Sequence, residues 1–100
     1  MVRQIIWTEN AQKERIAILS FWNKQNRSFH YSRKLNKWII ETLRLICKFP
    51  AIGKRTNKEN VRVKVLKDYL IIYEITKSAI IVLSLWDCRQ NPQDLKRLKE

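Results

Sequence analysis

The chain predicts an α+β domain: two N-terminal helices packed on one face of a small antiparallel sheet, followed by a short C-terminal helix. Three observations lead there. Apolar residues recur at three- and four-residue steps up to Phe49, then at two-residue steps beyond Asn60. One Gly and two Pro in 100 residues leave few sharp turns, so long regular elements should dominate. A chain of 100 residues that is 45% hydrophobic and 30% charged makes one soluble domain, residues 1–100, with a single modest core.

Each element has a local justification. Val2–Trp7 is β-rich and ends against Thr8, an N-cap with Glu9 in the first turn of a helix running to about Gln25. Ile16 and Leu19, joined by Phe21 and Trp22, are expected to form its apolar stripe, with Lys13, Glu14 and Arg15 in water. Asn23–Ser28 is a polar break, and Ser28 or Ser32 is placed to cap a second helix. That helix shows Tyr31, Leu35, Trp38, Ile39, Thr42, Leu45 and Ile46 on one face and stops at Pro50. The lone glycine, Gly53, marks a backbone conformation that other residues resist. A strand follows in which Val61, Val63 and Val65 alternate with Arg62, Lys64 and Leu66. Lys67-Asp68 and Thr76-Lys-Ser78 read as hairpins. The strands Tyr69–Ile75 and Ala79–Trp86 are nearly all apolar, so both should lie central in the sheet. Gln93–Glu100 reads as the closing helix.

Charge narrows the function. Lys and Arg number 21 against 9 Asp and Glu, for a net charge of +12 and a pI near 10.2. Such a field favours nucleic acid or another polyanion as partner, an acidic protein serving equally. Residues 49–67 are densest, with six basic residues (Lys54, Arg55, Lys58, Arg62, Lys64, Lys67) against one acid. Arg62 and Lys64 lie ~7 Å apart on one side of a strand, and on the open face of the sheet they would clamp a phosphate. A single His and two distant Cys give no metal-ligand spacing, so no metal is expected. One Gly cannot build a phosphate-cradling loop, so no nucleotide cofactor is expected either. Cys47 and Cys88 read as packed thiols in a reducing cytoplasm. No apolar run approaches the ~20 residues of a membrane span, and no leader opens the chain. Trp38 and Trp86 sit on apolar stripes and read as core, while Tyr69 and Tyr73 share one strand face.

Five segments, taken in order, carry a resemblance. They are Trp7-Thr-Glu-Asn-Ala11, Phe49-Pro-Ala-Ile-Gly53, Asn60-Val-Arg62, Tyr69-Leu-Ile-Ile-Tyr-Glu-Ile75 and Trp86-Asp-Cys-Arg-Gln-Asn-Pro92. Together they resemble the RelE/ParE family of toxins from type II toxin–antitoxin systems, over residues 2–96. The resemblance implies a toxin silenced by a cognate antitoxin that covers its basic surface. Operator DNA would be met only through that complex. RelE-like members cut messenger RNA in the ribosomal A site without metal, and that activity is the first expectation. ParE-like members instead poison DNA gyrase, which is the alternative, beside a catalytically inactive member that only binds its antitoxin.

For the nuclease the resemblance assigns Arg62, Lys64 and Arg89 as catalytic, with Lys64 as proton acceptor and Arg89 on the phosphate. Lys54, Arg55, Lys58, Lys67 and Gln90 would join these three in holding nucleic acid. Tyr69, Tyr73 or Asp87 would donate a proton or stack. Two departures stand out: Leu70 replaces an arginine of RelE-like nucleases, and Leu95 replaces a tyrosine.

Overall fold

The computed structural model describes residues 3–89. The first strand, β1 (Gln4–Trp7), leads into α1 (Glu9–Asn26) through Thr8, whose extended backbone (φ −69°, ψ 160°) and hydroxyl cap the helix. Thr8 Oγ1 accepts from the Ala11 N–H at 3.1 Å. Arg27, at φ 49°, ends α1 in the left-handed region and returns its N–H to the Asn23 carbonyl. The second helix, α2 (His30–Lys48), starts where the Ser28 hydroxyl accepts from the His30 N–H. Ser32 lies within α2 and ties the two helices together, bonding the Asn23 side chain and the Phe29 carbonyl. A 3₁₀ turn (Pro50–Ile52) and four strands complete the described chain: β2 (Lys54–Arg55), β3 (Val61–Leu66), β4 (Tyr69–Ile75) and β5 (Ala79–Asp87). The expected closing helix, Gln93–Glu100, lies outside the described residues, as does Gln90.

The strands form one sheet in the order β1-β5-β4-β3-β2, which puts the two apolar strands in the interior as expected. The sheet is mixed rather than antiparallel throughout, because β1 runs parallel to β5, with Gln4 opposite Ala79 and Trp7 opposite Val82. The connection between these two strands runs through both helices and then through β2, β3 and β4. The other pairs are antiparallel, and β4 and β5 slip register between Ile72 and Tyr73.

Both helices cover one face of the sheet. Leu35, Ile39, Leu43, Ile46 and Cys47 of α2 meet Tyr69, Ile71, Tyr73, Ile80, Val82 and Leu85 in the main core. Leu43 takes the place expected for Leu45, which is 45% exposed. On α1, Ala11, Ile18, Leu19 and Trp22 face this core, whereas Ile16 is 59% exposed. A second cluster, Val61, Val63, Leu70, Ile72 and Trp86, is buried on the opposite face.

Two expectations are corrected by this layering. Directly paired residues share a sheet face. Arg62 pairs with Tyr73, Lys64 with Ile71 and Leu66 with Tyr69, so the basic side of β3 is the helix side and not the open face. Gly53 has an ordinary backbone (φ −75°, ψ 160°) and is required for space instead. A Cβ there would sit 2.5 Å from the Tyr73 hydroxyl and 3.0 Å from the Val63 carbonyl oxygen.

Candidate functional site

The sheet presents two chemically different ends. At the first, Tyr73 reaches under the 3₁₀ turn, where its hydroxyl donates to the Pro50 carbonyl at 2.6 Å and accepts from the Gly53 N–H at 3.0 Å. Burial pushes the Tyr73 phenol above its ordinary pKa. Arg62, paired with Tyr73, donates through Nη1 to the Gly53 and Ala51 carbonyls at 2.8 and 3.2 Å. Both side chains hold the turn in place.

At the second end, a cleft of about 500 Å³ lies between α1 and the last part of β5. Its α1 wall is Glu14, Ala17, Ile18 and Phe21, one helical face at three- and four-residue steps, and Leu85, Tyr69, Asp87 and Arg89 line the sheet side. Arg89 grips Asp87 with two contacts, Nε to Oδ1 at 2.9 Å and Nη2 to Oδ2 at 2.7 Å. Its guanidinium carbon also lies 5.4 Å from the Phe21 and Trp22 ring centres. The hydrogen bond from Arg89 holds the Asp87 carboxyl below the usual carboxylate range, and the same bond raises Arg89. Tyr69 is buried beneath them, and that burial raises its phenol. Its oxygen accepts from Trp22 Nε1 at 2.7 Å and from Arg89 Nη2 at 3.5 Å.

The cleft also borders an open strand edge. β1 stops pairing at Val82, so the outward backbone groups of β5 beyond it are met by side chains of Thr8 and α1. Thr8 Oγ1 and Asn10 Nδ2 both donate to the Leu83 carbonyl, at 3.3 Å. Glu14 Oε1 accepts from the Leu85 N–H at 3.2 Å and the Ser84 hydroxyl at 2.9 Å. Glu14 is thus built into the fold, against the expectation of a wet residue; its carboxylate covers an edge that would otherwise invite pairing.

Of the residues singled out in the sequence, the structure therefore gathers Tyr69, Asp87 and Arg89 and leaves the others elsewhere. By backbone register Arg62 lies level with Tyr73, and Asp87 with Tyr69 one strand further on, which separates Arg62 from the Arg89 end by roughly 16 Å. Lys64 lies between these levels on β3, half-buried and opposite Ile71. Lys67, at φ 54° in the β3–β4 turn, places its ammonium 4.5 Å from the Trp38 ring centre. Lys54, Arg55 and Lys58 are exposed on β2 and its loop, and Gln90 is outside the described residues. Glu14, Phe21 and Trp22 were missed as site residues; the spacing of Glu14, Ala17, Ile18 and Phe21 was the available signal, hidden because α1 carries apolar residues on two faces.

A two-helix hairpin on a five-stranded mixed sheet, strongly basic and bearing an apolar cleft between α1 and β5, makes a small α+β domain. The same backbone arrangement occurs in a solved structure described as the chromosomal ParDE TA system from P. aeruginosa, with a TM-score of 0.72. Sequence identity is 16%, over 86% of this chain and 96% of that one, so this likeness establishes the fold. The sequence pattern of the family "ParE toxin of type II toxin-antitoxin system, parDE" matches residues 5–92. The chain belongs to that family of toxins. No curated protein matches it.

Proposed function

We propose that this toxin acts by binding and not by cutting, with DNA gyrase as its target and a cognate antitoxin as its keeper. The observation that carries this reading is the separation of the cations expected to surround one phosphate. Arg62 is tied through Nη1 to two backbone carbonyls at one end of the sheet, and Arg89 is held by Asp87 at the other. In-line cleavage needs these charges together on one phosphoryl group. Leu70 adds to the argument: it is buried on the face opposite the helices, packed with Trp86. Membership of the ParE family supports gyrase over the ribosome, and the α1–β5 cleft, with Phe21 46% exposed at its wall, suits an apolar antitoxin segment.

The deciding experiment sets gyrase supercoiling beside cleavage of a reporter mRNA in a reconstituted translation mixture. Wild-type toxin is expected to stop supercoiling and leave the message intact, with or without ribosomes. Antitoxin should restore supercoiling, and Phe21→Glu should raise the amount required. Ribosome-dependent cuts at A-site codons that vanish in Arg89→Ala would overturn the proposal in favour of the nuclease.

A further inference from the structure

Away from the cleft, the β2–β3 connection forms a polar cup of about 430 Å³ at the far edge of the sheet. Its register is electrostatically unusual. Arg55 of β2 stands directly opposite Arg62 of β3, so two guanidinium groups rise from neighbouring positions on one face. Like charges in that relation destabilise a strand pair. The cup adds Lys58 and the amides of Asn57 and Asn60, against a single acid, Glu59. No carboxylate forms an ion pair with Arg55, Lys58 or Arg62 among the described residues.

The loop is nevertheless ordered by its own bonds. Thr56 Oγ1 donates to the Val61 carbonyl at 2.9 Å and accepts from the Lys58 N–H at 3.2 Å. The Asn60 carbonyl accepts from the Ile75 N–H at 2.8 Å, while Asn60 itself takes φ 64°. Arg62 is immobilised through Nη1 on the Ala51 and Gly53 carbonyls. Three cations therefore line one hollow, Arg62 tied to the turn and Arg55 and Lys58 exposed on a braced loop, and an entering anion would relieve their mutual repulsion. Among the described residues the lining contains no aromatic ring, so it offers no platform on which an unpaired base would stack. Contact limited to the backbone of a duplex meets both conditions.

We propose that this cup is a phosphate clamp for the backbone of double-stranded DNA, with Arg55 and Lys58 as its mobile contacts and Arg62 as its fixed one. The site is separate from the α1–β5 cleft and does not require gyrase to be the target. It would set the toxin on DNA without reading sequence, through counterion release.

The test is binding of the purified toxin to a short duplex of random sequence, followed by fluorescence anisotropy across a salt series. Arg55→Ala/Lys58→Ala is compared with Arg33→Ala/Lys37→Ala, a pair on α2 that removes the same charge. Arg62 is left intact because its loss would release the turn. Circular dichroism checks that both variants fold. Loss of two phosphate contacts should flatten the slope of log K against log salt by about 1.8 in the first variant and clearly less in the second. Equal losses in the two variants would mean that net charge alone binds DNA and would overturn the clamp. Tighter binding to single-stranded RNA of equal length would overturn the duplex assignment. If the clamp stands and gyrase is untouched, the proposed target fails while this site survives.

Discussion

Strand β4 carries two tyrosines on one face, each beside an arginine, and they make opposite uses of the same chemistry. The hydroxyl of Tyr73 is consumed by backbone, between Pro50 and Gly53, and its neighbour Arg62 is tied through Nη1 to carbonyls of the same turn. The hydroxyl of Tyr69 is met by side chains, Trp22 and Arg89, at the floor of a cleft. Backbone partners cannot move without unfolding the turn, so the Tyr73 end is a brace. Side-chain partners are not bound to the turn in this way, so the Tyr69 end is held by packing and side-chain bonds alone. A buried tyrosine beside an arginine is thus no signature of a catalytic pair; the partners of its hydroxyl decide what it does.

The largest expected effects test the brace. Gly53→Ala should cost about 1–3 kcal/mol, since the new methyl group overlaps the Tyr73 hydroxyl and the Val63 carbonyl. Tyr73→Phe should also cost about 1–3 kcal/mol, leaving the Gly53 N–H buried and unpaired. Because Tyr73→Phe removes the closest overlap, the double variant should lose less than the two single losses added together. Strict additivity in urea denaturation would show that Gly53 and Tyr73 are not coupled.

A smaller loss is expected at the other end. Tyr69→Phe removes the acceptor for Trp22 Nε1 and should cost about 1 kcal/mol. The tryptophan emission should shift as the indole N–H seeks another partner. An unchanged spectrum with the same stability would mean that Trp22 is held by packing alone, and the contrast between the two tyrosines would weaken.

The smallest effect concerns pH. The hydrogen bond from Arg89 keeps the folded-state pKa of Asp87 below its unfolded value. Its contribution is therefore complete above the ordinary aspartate value of about 3.9 and is lost as pH falls through the lower, folded-state value. Asp87→Asn should be less stable than the wild type at neutral pH, and the two should converge in acid. The effect should be small, since Arg89 is half exposed, and a gap that stays constant down to low pH would show that this carboxylate adds nothing by being charged.

Much of the fold was legible from local signals. Thr8 as N-cap, the start of α1 at Glu9, the bounds of β4 and the hairpins at Lys67-Asp68 and around Lys77 all follow from short-range chemistry. Less of the site could be read. The period of two in β3 separates Val61 and Val63 from Arg62 and Lys64, yet it is symmetrical and cannot say which set faces the helices. The sheet buries Val61 and Val63 in a second cluster and leaves the cations on the helix side, so the expected clamp on an open face dissolved.

The amino-acid sequence by itself determined the class of the protein: element order, charge, and the motif order that marks a toxin of this family, since each depends on residue type and spacing. Only the tertiary structure decided which charges meet. The parallel docking of β1 on β5 left an edge for Glu14 to cover, and the approach of the Pro50–Gly53 turn to β4 made a glycine necessary for space. The same folding placed Arg62 and Arg89 at opposite ends of one sheet and Arg55 opposite Arg62. Those outcomes rest on contacts between residues far apart in the chain, and no local pattern encodes the distance between two side chains that meet only when the sheet closes.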